Sequence, residues 1–419
     1  MLLEDPEHVQ SSVEGLAYAS LRPSVREDLA QDKESLKRLV KTLESAPSKS
    51  SLTYGALSIF VNLTRYQPFE TEEQKRLKQL KAYANAAGKL QPEPLTDDAH
   101  VAERCKRVFE AGITPVLVTH GRSGSVASLS LIISIIYSLS MTPALRGQLA
   151  QQGAVRLLMG AWAALPEEDD ASRRTAAQAL ARILISTNPS LVFGGTRHTP
   201  QAAAIRPLAS LLTPDPTSDT RDLLPTFEAL LALTNLASTD NDTRRNIVRA
   251  AWDDIEEQLF SANPRVSTAA VELVCNIVQS PEEVMSLFGD ASPRAENRLK
   301  VILALADAED AKTRSAAGGA LASLTGYEAV VRAVVAQPRG LEIVLGLCRD
   351  DESEGIRHRG VVIVGNMLSA EGEVGKIAKE KLAEAGATEA LAECVKKSRT
   401  PDVVQAVVQA LELLLEQQK

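Results

Sequence analysis

The chain has 419 residues, 44% of them apolar but only 4% aromatic. Leu, Ala, Val and Ile therefore carry the burial, a balance that suits helices and excludes a strand-rich domain. Its 46 Lys and Arg stand against 54 Asp and Glu, a net charge of −8 that argues against nucleic acid or an anionic membrane as the main partner.

In chain order, Val9 to Tyr18 reads as a short amphipathic helix, and Pro23 opens a second over Ser24 to Leu29. Leu36, Leu39, Val40 and Leu43 fall at i, i+3, i+4, i+7, which predicts a helix over 32–43. Ala46 to Ser50 is a linker, and Leu52 to Leu63 is the next helix. Residues 66–100 break this rhythm. A charged helix is expected over Glu72 to Ala87, followed by Gln91-Pro92-Glu93-Pro94, the whole forming an elaborated connection between repeats. From 101 to 419 the repeats resume. Gly112, Gly153 and Gly386 each follow a helix end and precede a new apolar helix. Ala127 to Met141, the most apolar run, is shorter than the roughly 20 residues of a membrane span and reads as a buried helix or helix pair. Glu167 to Asp170 is a solvated loop that caps the following helix. Loops are expected at 186–198 and 213–226.

The phrase from Phe227 to Ser238 repeats. Its Leu/Ala stripe has Asn235 beside it, and Asn62, Asn276 and Asn366 stand at the same place in similar helices. Aligned on this position, the ladder runs Asn62, Ser138, Arg182, Asn235, Asn276, Ser323, Asn366 and Leu413. Its steps are 76, 44, 53, 41, 47, 43 and 47 residues, mostly the period of armadillo or HEAT repeats. The expectation is an all-α, right-handed superhelical solenoid forming one domain over 1–419, with N-terminal repeats in 1–65, the connection in 66–100 and the remaining repeats in 101–419.

No HExxH, GxSxG or Walker pattern occurs, and the five histidines are scattered, so neither an enzyme site, a cofactor nor a metal is expected. Cys105, Cys275, Cys348 and Cys394 show no CxxC or Cys/His spacing; Cys275 and Cys348 lie in apolar helical runs and read as small core residues. The N-terminus carries no signal-peptide pattern, which points to a cytoplasmic protein. Each ladder asparagine offers an acceptor and two donors. A row of them would pair with the main chain of an extended segment, and this reading outweighs local satisfaction of neighbouring helices. Phe193 in its loop is either a plug over a helix pair or part of a pocket, with Arg197 four residues on. Arg359 either pairs with Asp350, Asp351 or Glu352 or faces a partner, the ion pair being favoured slightly. Trp252 and Ile255 pack between repeats.

Several stretches, in order, are similar to the UCS domain of the myosin chaperones: Glu14-Gly15-Leu16-Ala17-Tyr18, Ala177 to Ile183, Thr187-Asn188-Pro189 with Phe193 and Arg197, and Ile205-Arg206-Pro207-Leu208. Phe227-Glu228-Ala229-Leu230, Leu233 to Ala237, Asn297-Arg298-Leu299-Lys300, Gly318-Gly319-Ala320-Leu321 and His358-Arg359-Gly360 with Asn366-Met367 continue the match. The resemblance implies an armadillo-type superhelix whose concave groove holds part of a myosin motor domain and promotes its folding, stability and assembly. It assigns Asn235, Asn276, Asn366, Phe193, Arg197, Arg359 and Phe227 to that groove. No repeat of TPR period, about 34 residues, precedes the UCS pattern, so Hsp90 docking through a TPR clamp is not expected; the chain reads as a fungal-type member or an excised domain. A homo-oligomer is compatible with the sequence. The rival reading is a general armadillo adaptor holding an extended peptide of another partner. Its basic-peptide version would want tryptophans at ladder spacing, and only Trp162 and Trp252 exist.

Overall fold

The helix ends follow from local chemistry. Asp32, Ser50, Asp97, Ser125, Asp240, Ser292, Asp310 and Ser353 each accept a backbone N–H from the first turn of the helix they precede, satisfying donors that a helix start leaves open. Asp169, the third residue of the acidic run, caps in the same way by accepting from Ser172 N. Pro23, Pro264, Pro281 and Pro293 open helices where a missing N–H costs nothing. Gly112, Gly153 and Gly386 have φ of 87, 92 and 83°, the left-handed conformation that lets one helix end and the next begin at once.

The computed structural model describes residues 8–67, 94–194, 200–215 and 222–415, with Glu73, Arg76, Leu77 and Leu80. Most of the predicted helix over Glu72 to Ala87 lies outside the described residues, as do Arg197, His198 and residues 216–221 of the second loop. Among the described residues all regular structure is helical. They form two compact units, 1–211 and 212–419.

The first unit contains α1 (Val9–Ala19), α2 (Pro23–Gln31), α3 (Lys33–Ser45), α4 (Ser51–Thr64), α5 (Asp98–Glu110), α6 (Ile113–His120), α7 (Val126–Ser140), α8 (Pro143–Gln151), α9 (Ala154–Ala164), α10 (Asp170–Ile185), α11 (Pro189–Phe193) and α12 (Ile205–Ala209). The apolar run 127–141 is thus one helix, not a pair. Helices α1, α4, α7 and α10 stack in sequence. Leu57, Phe60, Leu63, Ile132, Ile136 and Ile183 form their core, each fully buried and each worth about 1.5–3 kcal/mol of burial.

The second unit contains α13 (Leu224–Ala237), α14 (Asn241–Leu259), α15 (Pro264–Ile277), α16 (Pro281–Phe288), α17 (Pro293–Ala306), α18 (Ala311–Leu324), α19 (Glu328–Ala336), α20 (Gly340–Cys348), α21 (Glu354–Leu368), α22 (Gly372–Glu384), α23 (Ala387–Lys397) and α24 (Pro401–Leu415). From α16 onward these fall into triplets whose third members, α18, α21 and α24, continue a stack begun by α13 and α15. That is an armadillo-type solenoid. The predicted loop 213–226 ends early, because Pro225 sits in the first turn of α13.

Arginines tie the layers by collecting carbonyls at helix ends. Arg104 is fully buried and donates to Leu63 O (2.9 Å), Leu95 O (2.8 Å) and Glu27 Oε2 (3.1 Å). Arg357 donates to Asp350 O (2.8 Å), Lys397 O (2.9 Å) and Ser398 Oγ (3.0 Å). Trp252 is buried as expected, with the Arg298 guanidinium 5.2 Å from its ring centre.

Candidate functional site

The ladder positions lie near the C-terminal ends of the stacked helices, beside the buried Leu/Ala stripe; Ser138 and Arg182 are buried there, and the others are half-covered. Asn62 lies on α4, Asn235 on α13, Asn276 on α15 and Asn366 on α21, all half-buried. In each resolved link the amide reaches back to the preceding helix of its stack. Asn62 Nδ2 donates to Ala17 O at 3.2 Å, Asn276 Nδ2 to Thr234 O at 2.9 Å and Asn366 Nδ2 to Ala322 O at 2.8 Å. Thr234 and Ala322 immediately precede the ladder residues Asn235 and Ser323, so Ala17 places Tyr18 on the ladder as well. The stack therefore begins one helix before Asn62. Tyr18 carries no amide, so the repeated motif could not reveal it, and it is 78% exposed.

Two of the groove candidates meet in the second unit. Asn276 and Arg359 line a cavity of about 470 Å³ together with Thr234, Glu272, Cys275, Lys312 and Ser315. Asn366 follows Arg359 by two turns on α21. Phe227 lies half-buried two turns before Asn235 on α13. Arg359 does not pair with Asp350, Asp351 or Glu352. Its Nη1 donates to the backbone oxygen and the hydroxyl of Ser315. Those acids are taken by other cations, Asp350 and Glu352 by Arg314 and Asp351 by Lys397. Arg359 lies along Gly318 and Gly319, where a Cβ would stand 3.6 and 3.5 Å from it in ordinary contact, while one on Gly319 would crowd Cys275 Sγ at 2.9 Å.

Cys275 is not the core residue its apolar run suggested. It is half-exposed on the cavity wall, because it adjoins Asn276 at the edge of the buried stripe. Burial raises its thiol pKa, and the nearby Arg359 opposes that rise. Burial likewise raises the Glu272 carboxyl, with Lys312 acting in the opposite sense. Cys348 is fully buried, as expected.

Phe193 belongs to the first unit. It ends the short helix α11 instead of sitting in a loop, because Asn188 caps that helix and Pro189 starts it. Its ring is 7% exposed and lines a separate cavity of about 670 Å³ with Arg122, Gln152, Arg156 and Asn188. Among the described residues no group of His, Cys, Asp or Glu could hold a metal ion, and no helix is long and apolar enough to cross a membrane.

No family model matches the chain. It is 30% identical over 413 residues to human Protein unc-45 homolog B, which covers 96% of this chain and 42% of that protein. Its fold matches UNC-45 from Drosophila melanogaster with a TM-score of 0.79 and 28% identity, over 98% of this chain and 50% of the other. The chain belongs to the UCS family. This UCS chain spans less than half the length of the curated relatives it matches. A crystal structure described as the myosin chaperone UNC-45 from C. elegans in complex with an Hsp90 peptide shares the UCS fold, with a TM-score of 0.78 at 23% identity over 98% of this chain and 43% of that one.

Proposed function

We propose that this chain acts as a myosin-directed chaperone. In this reading 1–419 works as one UCS-type armadillo domain. Its concave groove holds a segment of the myosin motor domain and promotes that domain's folding, stability and assembly, without catalysis of its own. The client-binding residues of the second unit are Asn235, Asn276, Asn366, Phe227 and Arg359; in the first unit Phe193 and Arg197 are proposed to bind it as well. The observation that carries the reading is the cavity of about 470 Å³ that brings Asn276 and Arg359 together beside a line of half-exposed ladder positions. Such a surface suits a polar, extended segment, and the kinship with proteins described as myosin chaperones supports a myosin client. Hsp90 is a second partner in this reading, and the site of action is the cytoplasm.

The test is suppression of aggregation of a purified myosin motor domain on mild heating. Wild-type protein at equimolar ratio is expected to hold the motor domain in solution. Arg359→Glu, with its fold checked by circular dichroism, is expected to lose most of that protection. Equal protection by both proteins would overturn the groove. Absence of protection by wild type would leave the general armadillo adaptor as the better reading.

A further inference from the structure

We infer that Asn62, Asn276 and Asn366 are inter-repeat caps: positioning residues that close the C-terminal turn of the preceding stacked helix, and not bidentate readers of a partner's peptide groups. This deepens the groove reading by assigning its asparagines a role, yet it holds or fails in the protein without any partner.

A helix end leaves its last carbonyls without backbone donors, and each must find another partner. The carbonyl one residue before the ladder position is the one at issue. At the end of α1, Ser20 N bonds Leu16 O and Leu21 N bonds Tyr18 O, so the backbone passes Ala17 O by and only Ser20 Oγ (2.8 Å) serves it from its own helix end. At the end of α18, Thr325 N bonds Leu321 O and Gly326 N bonds Ser323 O, so the backbone passes Ala322 O by as well, leaving it a long bond from Thr325 Oγ1 (3.4 Å). These are two of the carbonyls that the asparagines reach. A carbonyl oxygen only accepts, which fixes the amide with Nδ2 toward it. The second amide hydrogen of Asn62 goes to Ser20 Oγ (2.9 Å), and that of Asn366 goes to Thr325 Oγ1 (3.3 Å). Both donors of Asn62 and Asn366 are thus used inside the protein, leaving only Oδ1 for anything else.

The other ladder steps close their carbonyls without an amide from the next repeat. Where the next ladder residue has no amide, the equivalent carbonyl is satisfied from its own helix end. Val61 O accepts from Arg65 N (2.9 Å) ahead of Ser138, and Gly365 O accepts from Ser369 N (3.0 Å) ahead of Leu413. Tyr137 O accepts from Ser140 Oγ (2.7 Å) ahead of Arg182. Cys275 O, ahead of Ser323, is served by Gln279 Nε2 (3.1 Å), which also donates to Ser323 Oγ (2.7 Å). The asparagines thus add a donor from the next repeat to carbonyls that their own helix serves only through a hydroxyl, Ser20 Oγ at Ala17 O (2.8 Å) and Thr325 Oγ1 at Ala322 O (3.4 Å).

Hydrogen exchange of the free protein tests this. Asn62→Ala, Asn276→Ala and Asn366→Ala should each speed amide exchange by roughly fivefold to tenfold. The change should appear one repeat upstream, in segments 18–22, 235–239 and 323–327 respectively. Asn366→Asp, which keeps size and Oδ1 but removes the donors, should behave like Asn366→Ala. Gln279→Ala should loosen 276–280, and Ser323→Asn in that background should restore protection by supplying an amide to Cys275 O. Exchange that rises only around the substituted residue, or not at all, overturns the inference. So does failure of Ser323→Asn to rescue. None of these readouts involves myosin, so they stand whether or not the chaperone reading survives.

Discussion

Arg104 holds Glu27 across 77 residues of sequence, Nη1 to Oε2 at 3.1 Å, with only 1% of the arginine side chain and 12% of the glutamate exposed. Burial alone would raise the Glu27 pKa. Hydrogen bonds from Gln31 and Arg104, with the charges of Arg104 and Arg107, outweigh it and hold the carboxyl below its ordinary value of 4.5. A carboxyl depressed in the folded state contributes stability that is full above the unfolded pKa and lost as pH falls through the folded value. Arg104→Met should cost up to about 3–5 kcal/mol in urea unfolding near neutral pH, because it takes the closest cation from a largely buried carboxylate, leaving Gln31 and Arg107, and removes the donor to Leu63 O. The variant's stability should also fall less than that of wild type as pH drops below about 4.5. Identical acid profiles for the two proteins would refute the link.

Gly360 and Gly365 share α21 but not their surroundings. A Cβ on Gly360 would meet Cys348 N at 2.6 Å and Leu347 C at 2.9 Å, backbone atoms that cannot yield without moving α20. Gly360→Ala should therefore destabilise by about 1–3 kcal/mol or more. A Cβ on Gly365 meets nothing within 4 Å. Gly365→Ala should be neutral or stabilising by up to about 1 kcal/mol, through helix propensity alone. Thermal melts of the two variants side by side check the contrast.

The four cysteines should separate by reactivity. Burial pushes Cys105 up to about 12 and raises Cys348 and Cys394 as well, and all three have no exposed surface. Thiol titration of the native protein at pH 8 should leave these three silent, since thiolate and access are both required. Cys275 should react first, and slowly, because its pKa is also raised. Denaturant should release all four. Fast native labelling of Cys105 would contradict its buried place between α5 and α4.

Helix positions were legible because caps and apolar stripes act within one helix. Asp32 with Leu36, Leu39, Val40 and Leu43 defines α3 from one short run of sequence, and Pro264 and Gly386 mark boundaries just as locally. The ladder was legible in part, since an amide beside a Leu/Ala stripe repeats visibly at Asn235, Asn276 and Asn366. What stayed hidden depends on contacts between repeats. Arg359 finds Ser315, which lies 44 residues earlier, and not the acids just before it. Arg104 is buried by three elements at once, so no helix periodicity marks it. Tyr18 occupies a ladder place without the residue that defines the ladder elsewhere. Periodicity tells which residues share a face; it does not tell which other layer meets that face.

The amide links point one way along the chain. The carbonyls of Ala17, Thr234 and Ala322 are reached by donors 45, 42 and 44 residues later in the sequence. During synthesis the N-terminal parts of a chain emerge and fold first. The helices that end at Ala17, Thr234 and Ala322 would therefore leave the ribosome without their inter-repeat donor, which arrives only after another repeat's length has been translated. Translation rate, and not only final stability, would then set how long each repeat end stays open to non-native pairing. A solenoid built this way would be vulnerable at its growing tip.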